Sequence, residues 1–280
     1  MSLTGLSFWR TDEHPVGGIN FVPNPYCYRC PYDKRHPECD LACANDIERI
    51  ITTATAGKIA ALIAEPLQGN GGIITPPPGY FTRLRDILAK YHALLIIDEV
   101  QTGFGRTGKM FAIEHYKVDP DIMTMAKALA NGTPVGAFIA RAEIADCYTR
   151  PAASTLGGNP VTAAAALATL DVLVNDSLPA KAAELGKILQ DGLNELQRKH
   201  PVIGDVRGLG LMLGAELVQP DKSPAAETTG KILEQMKERG FLLGRTGPAR
   251  NVLTFQPPLV LNKTDIDDLL NNLDDVLSAC

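Results

Sequence analysis

Short, almost wholly apolar runs recur along this chain with longer amphipathic segments between them, and that alternation narrows the architectures open to it. Residues 58–64, 93–98, 122–125 and 135–140 are too short for helices. They lack the every-second-residue polar pattern of a strand with one wet face, so they read as strands buried on both sides. Between the first two, Phe81, Leu84, Ile87, Leu88 and Tyr91 recur at helical spacing within 78–91, the mark of a helix laid on such a sheet. A further helix is expected over 46–56, with Ile50 and Ile51 on one face. Strands alternating with helices predict an α/β fold with a mostly parallel sheet.

Beyond an Ala-rich helix over 159–174 and a second one from Pro179 to about Lys199, the texture changes. A strand over 206–218, a helix over 225–239, strands over 241–244 and 251–255 and a closing helix over 264–277 predict a smaller α+β unit. Thr264 is the expected N-cap of that last helix, with Asp265 and Asp267 suited to its first turn. The division falls between a larger domain, 1–177, and a smaller carboxyl-terminal one, 178–280. Trp9 and the phenylalanines are expected in the core.

Composition excludes several function classes. A net charge of −5 gives no basic surface for nucleic acid, and no apolar run is long enough for a bilayer span. Residues 1–10 do not read as a leader, so a cytoplasmic protein is expected. Six cysteines are present, four of them crowded as Cys27-x2-Cys30-x8-Cys39-x3-Cys43. A reducing compartment disfavours disulfides. The same spacing is open to a tetrahedral zinc or iron–sulfur site, with His36 as a substitute ligand, or to ordinary loop thiols, the reading preferred here.

Two charged residues stand where chemistry is expected. The run LLIIDEVQTGFGRTG ends a buried strand in Asp98 and Glu99 and turns into a glycine-rich loop. Ligands of open α/β sheets sit beyond the carboxyl ends of strands, which places Asp98 beside a cofactor; an acid that merely caps the next turn is the plain alternative. In DIMTMAKALANGTPVG, Lys127 follows another apolar strand, where partial desolvation would free its amine as a nucleophile. A lysine and a carboxylate from adjoining strand ends are the pair that pyridoxal-phosphate (PLP) chemistry needs. No dinucleotide-binding or P-loop glycine pattern follows a strand.

The strings AEPLQGNGG, IIDEVQTGFGRTG, DIMTMAKALANGTPVGA and STLGGNPV, in this order and spacing, resemble the consecutive signature blocks of the class III (subgroup II) PLP-dependent aminotransferases. The PYCYRCP stretch is similar to the alanine–glyoxylate aminotransferase 2-like branch. The resemblance runs over essentially the whole chain. It implies the type I fold of PLP-dependent transferases, with 1–177 as part of the PLP-binding domain, and a homodimer with shared active sites. It also implies transfer of an amino group from an amino acid or amine to a 2-oxo acid.

By the same resemblance Lys127 forms the Schiff base and moves the substrate proton, and Asp98 pairs with the pyridine nitrogen. Val100 packs on the ring, Gln101 reaches the phenolic oxygen, and Glu65 lies on the floor of the site. Thr155 reaches the partner subunit's PLP phosphate; on its own residues it equally reads as an N-cap for the Ala-rich helix. Where many members carry an arginine for the substrate carboxylate this chain has Thr254, with Arg245 and Arg250 nearby. The amino-terminal part that supplies the phosphate loop and the stacked aromatic in the family is lacking, so weak PLP retention is expected. The alternatives are a PLP-dependent amino-alcohol-phosphate lyase, or an inactive fragment that dimerises or binds metal.

Overall fold

The apolar runs do become adjacent strands, and their register decides what they carry. In the computed structural model, which describes residues 2–11 and 16–279, β1 (Ala61–Ala64), β2 (Leu94–Asp98) and β3 (Ile122–Met125) are parallel. β4 (Ala137–Ala140) closes the sheet antiparallel to β3, giving the order β1-β2-β3-β4. Helices α1 (Ala42–Ala54) and α2 (Tyr80–Lys90) bury Ile47, Ile51, Phe81, Leu84 and Leu88 against Leu95 and Ile97 of β2. Each such side chain withdrawn from water contributes about 1.5–3 kcal/mol.

The start of β3 is fixed by charge. Asp121, almost wholly buried, accepts from Arg85 at 2.5 and 3.1 Å and from the Leu95 amide at 2.7 Å, and it pairs with Arg141. Burial works against its ionised form, but these partners outweigh it and hold the carboxyl below the usual range.

After the short α3 (Ala142–Ala145) come α4 (Pro160–Asn175) and α5 (Leu178–Lys199). A second sheet, β5 (Ile203–Leu209), β6 (Met212–Leu217), β7 (Gly244–Thr246) and β8 (Val252–Phe255), is antiparallel throughout, in the order β5-β6-β8-β7. Together with α6 (Ala226–Glu238) and α7 (Lys263–Ser278) it forms its own core, where Leu189, Leu193, Ile232, Met236, Leu253, Phe255, Ile266 and Leu273 meet.

The structure departs from the sequence reading in several places. The strand expected over 206–218 is a hairpin, because Gly208 and Gly210 adopt positive φ of 133° and 53° and turn the chain back. Gly210 also lies so close to α5 and the glycine-rich loop that a Cβ on it would fall 2.4 Å from Thr107, and one on Gly186 2.2 Å from Gly210. The strand expected at 241–244 begins only at Gly244. Asn262, not Thr264, caps α7: its side chain accepts from the Asp265 amide at 3.1 Å while Asp265 accepts from the Asn262 amide at 2.9 Å, a reciprocal box. Phe81, Phe104 and Phe255 are core, but Phe8, Trp9, Phe21 and Phe138 are exposed.

Helix α4 leaves Val161, Leu167, Val172 and Val174 exposed, and β4 leaves Phe138 and Ile139 exposed (72% and 58%). Among the described residues no single helix is long and apolar enough to cross a membrane.

Candidate active site

Parallel pairing brings the chemistry-bearing residues abreast. Ala64 pairs with Ile97 and Asp98 with Thr124. Glu65, immediately after β1, Asp98, the last residue of β2, and Lys127, two residues beyond β3, therefore share the carboxyl-end rim of three neighbouring strands, the usual ligand edge of such sheets. Lys127 has a φ of +41°, a left-handed backbone that a lysine rarely adopts. That conformation turns the chain out of β3 into a 3-10 turn, Lys127–Ala130.

The two acids of the Asp-Glu pair are divided by strand alternation. Asp98 Oδ1 accepts from the Val100 amide at 3.0 Å and makes no ion pair among the described residues. Glu99 is fully buried and structural: its carboxylate accepts from the Ile113 amide at 2.8 Å and from the Thr102 hydroxyl, shaping the loop that follows. Burial pushes the Glu99 carboxyl up, against the hydrogen bonds it accepts.

Glu65 Oε2 accepts from the Gly69 amide at 2.9 Å. Burial, aided by the neighbouring Asp98 charge, pushes the Glu65 carboxyl up, against the Gly69 amide and the charge of Lys127. The Gln101 carboxamide lies against Gly69, where a Cβ would sit 2.1 Å from its Oε1, so any larger residue there would displace the carboxamide. Gln101 Oε1 accepts from Lys127 Nζ at 3.4 Å, and its Nε2 donates to Gln256 Oε1 at 3.0 Å.

The second sheet holds this loop from the other side. Thr246 Oγ1 donates to the carbonyls of Gly69 and Asn70, at 3.2 and 2.7 Å, and Arg207 donates twice to the Gly72 carbonyl. The glycines of GNGG were a sequence signal for this close approach. Thr246, Arg207 and Gln256 had none, since nothing local marks a partner far away in the chain.

Expected site residues do not all converge. Lys127 is exposed, contrary to the desolvation expected of it: its left-handed turn leads outward to the exposed strand β4, which does not cover it. Thr155 is exposed in the loop before α4 and makes no hydrogen bond among the described residues. It is not the helix cap either. Asn159 is, accepting from Val161 and Thr162 amides at 3.2 and 3.1 Å. Thr254 sits between two glycines, Gly214 and Gly244, on adjoining strands. Arg245, on β7, and Arg250, in the β7–β8 turn, are exposed and form no ion pair among the described residues.

Cys27, Cys30, Cys39 and Cys43 line a common cavity with His36, yet among the described residues no three metal-ligating side chains are grouped to hold an ion. Burial pushes the Cys27 thiol up and takes Cys43 up to about 11, which disfavours the thiolate a metal binds. Protein purified under reducing conditions without chelator is expected to carry zinc and iron at background, with Cys43 the slowest of the four to alkylate. Near-stoichiometric metal lost on joint Cys27→Ser and Cys30→Ser replacement would reverse this expectation.

Comparison with known proteins places this geometry. A model of the family described as aminotransferase class-III matches residues 1–277. Leucine/methionine racemase of Thermococcus litoralis is 40% identical over 278 residues, covering 98% of this chain and 62% of that protein. The mitochondrial alanine–glyoxylate aminotransferase 2 homolog 2 of Arabidopsis thaliana is 41% identical over 277 residues, covering 98% and 57%. An amine transaminase from an uncultivated Pseudomonas species, solved in its PLP-bound form, superposes with a TM-score of 0.90 at 34% identity, covering 98% of this chain and 64% of that one. The chain thus spans about six-tenths of the length of the curated relatives it matches.

Proposed function

The chain belongs to the class-III aminotransferase family, and on that premise we propose that it acts as a PLP-dependent aminotransferase, moving an amino group from an amino acid or amine to a 2-oxo acid. The observation that carries this reading is the placement of Glu65, Asp98 and Lys127 abreast on one sheet rim. The residues fit the cofactor. Among the described residues neither Asp98 nor Lys127 is in an ion pair, and Lys127 Nζ meets only the neutral Gln101 carboxamide, so both charges are free for a ligand.

Bound there, PLP supplies an aldehyde that condenses with amines and a ring that accepts the electron pair released at the substrate α-carbon. Lys127 Nζ holds the cofactor covalently, then takes up and returns the proton at the substrate α-carbon. The Asp98 carboxylate holds a proton on the pyridine nitrogen. Val100 packs against the ring, Gln101 binds the phenolic oxygen, and Glu65 lines the floor. Arg245 and Arg250, neither in an ion pair among the described residues, are the cations near Thr254 proposed for a substrate carboxylate.

Residues 1–177 and 178–280 act as large and small domains in this reading, supported by their separate sheets and cores. A homodimer is supported by the exposed apolar side chains of α4 and β4, Leu167, Val172, Phe138 and Ile139 among them, the kind of surface that marks interaction sites when contiguous. Thr155, in the exposed loop leading into α4, serves the phosphate of the partner subunit. Residence in the cytoplasm is supported by the five cysteines among the described residues, all of them free.

The 40% identity to a racemase favours a second reading on the same residues, in which Lys127 returns the proton to the opposite face and no amino group leaves. One experiment separates the two. The protein is loaded with PLP and given L-amino acids with and without a 2-oxo acid. A new amino acid that forms only with the 2-oxo acid supports the aminotransferase. A D-enantiomer that forms without it supports the racemase. No borohydride-stable PLP on Lys127 rejects both.

A further inference from the structure

We propose that Gln256 is a positioning residue of this site, supplied by the second sheet to hold the Gln101 carboxamide in place against Lys127. The inference rests on the PLP reading for its consequence and on geometry for its substance. The Gln101 carboxamide lies against Gly69, where a Cβ would displace it. That contact fixes the plane of the amide but not its sense, because the oxygen and nitrogen ends are nearly the same size and are told apart only by what they bond to.

Lys127 Nζ donates to Oε1 at 3.4 Å, and Gln256 Oε1 takes an N–H from Nε2 at 3.0 Å. The ammonium, which can only donate, decides the sense, since a reversed amide would aim its N–H groups at it; Gln256 anchors the other end. With Gln256 holding one hydrogen of Nε2, the second stays available for the phenolic oxygen that Gln101 binds.

Gln256 is itself preset. Phe255 before it is buried in the second core. The Pro257 carbonyl after it accepts from Arg106 Nη1, which also donates to Leu211 O at 3.2 Å. Burial holds Arg106 below its usual pKa, with no acid beside it, so this guanidinium serves as a clamp on backbone carbonyls. The polar chain Lys127–Gln101–Gln256 therefore spans from the first sheet to the second along an exposed rim, with Gln101 backed by Gly69 and the backbone on either side of Gln256 held by Phe255 and by Arg106.

The test uses the whole chain with Gln256→Leu, which removes the acceptor, and Gln256→Glu, which keeps one. Two quantities are read: the order of the Gln101 side-chain amide by selective 15N relaxation, and the rate at which Lys127 captures PLP, trapped with borohydride and mapped by mass spectrometry. In the leucine variant the amide is expected to become mobile and capture to slow about fivefold, the factor a single neutral hydrogen bond carries. Glutamate should restore both, and thermal stability should hold in each variant. Unchanged amide order and capture in the leucine variant would overturn the proposal, as would a glutamate variant no better than leucine. If even the wild type captures no PLP on Lys127, the aminotransferase reading fails, and the amide order alone decides the role of Gln256.

Discussion

In a chain extended to the length of its relatives, Lys127→Ala is expected to remove all borohydride-stable PLP from the protein and to abolish transamination. Asp98→Asn should retain the covalent attachment but slow turnover by about three to four orders of magnitude, at about 1.4 kcal/mol for each tenfold. The first effect is total because Lys127 is irreplaceable by position. Lys90, Lys187, Lys199, Lys237 and Lys263 are each held by a carboxylate on a helix surface, whereas Lys127 stands at the sheet rim with only Gln101 against its amine. The second effect is partial because asparagine preserves the shape at the end of β2 and the bond from the Val100 amide, yet cannot hold a proton on the pyridine nitrogen by charge. Tryptic mapping of trapped cofactor and steady-state kinetics measure the two effects. Trapped PLP on another lysine in the alanine variant would sink the assignment, and an Asp98→Asn enzyme within tenfold of wild type would remove Asp98 from the chemistry.

Much of this site was legible because it is built from local patterns whose meaning is set by burial. Apolar runs ending in a charged residue at 94–98 and just after 122–125 read as buried strands with charged residues at their carboxyl ends, open to chemistry or to capping the next turn. The register that sets Ala64 beside Ile97 and Asp98 beside Thr124 follows once those strands are parallel neighbours. The unread part is long-range. Gln256 meets Gln101 across 155 positions, and Arg207 meets Gly72 across 135; neither contact leaves a periodicity in the sequence. The hairpin at Gly208–Gly210 was missed because two positive-φ glycines inside an apolar stretch look like one strand until the turn is seen. Lys127 was expected to be partly desolvated because it follows an apolar strand, but it is exposed, and exposure depends on what stands opposite in space.

Loss of the Glu216 carboxylate is expected to have the largest effect on stability, about 3 kcal/mol for Glu216→Ala, the low end for breaking a buried pair, because the largely buried Arg207 keeps only the Asp205 carboxylate, and the one-third exposed Arg29 loses its acid. Glu216 is 1% exposed and lies under Arg29 at 2.5 Å and Arg207 at 2.9 Å, with the Tyr26 hydroxyl donating to the same carboxylate. Arg207 stacks over the Tyr26 ring at 4.8 Å and reaches Asp205 at 2.7 Å and the Gly72 carbonyl. This one acid therefore ties the loop at 26–29 to β6 and, through Arg207, steadies the loop after β1 that bears Gly69, against which Gln101 lies. Burial alone would raise its carboxyl, but the bonds from Tyr26 and Arg29 and the Arg207 charge outweigh burial and hold it below the usual range. A lowered folded-state pKa contributes stability that is complete above the unfolded value of about 4.3 and is lost as pH falls through the folded value. Glu216→Gln, which keeps an acceptor without the charge, should cost less, and should flatten the fall in stability below that pH. Urea unfolding at neutral and acid pH measures both variants. Limited proteolysis should find the 20–40 segment cut faster in the alanine variant, with PLP capture by Lys127 slowed as the Gly69 support loosens. An alanine variant within about 1 kcal/mol of wild type, the range of an exposed ion pair, would show that this buried cluster does not join the two sheets.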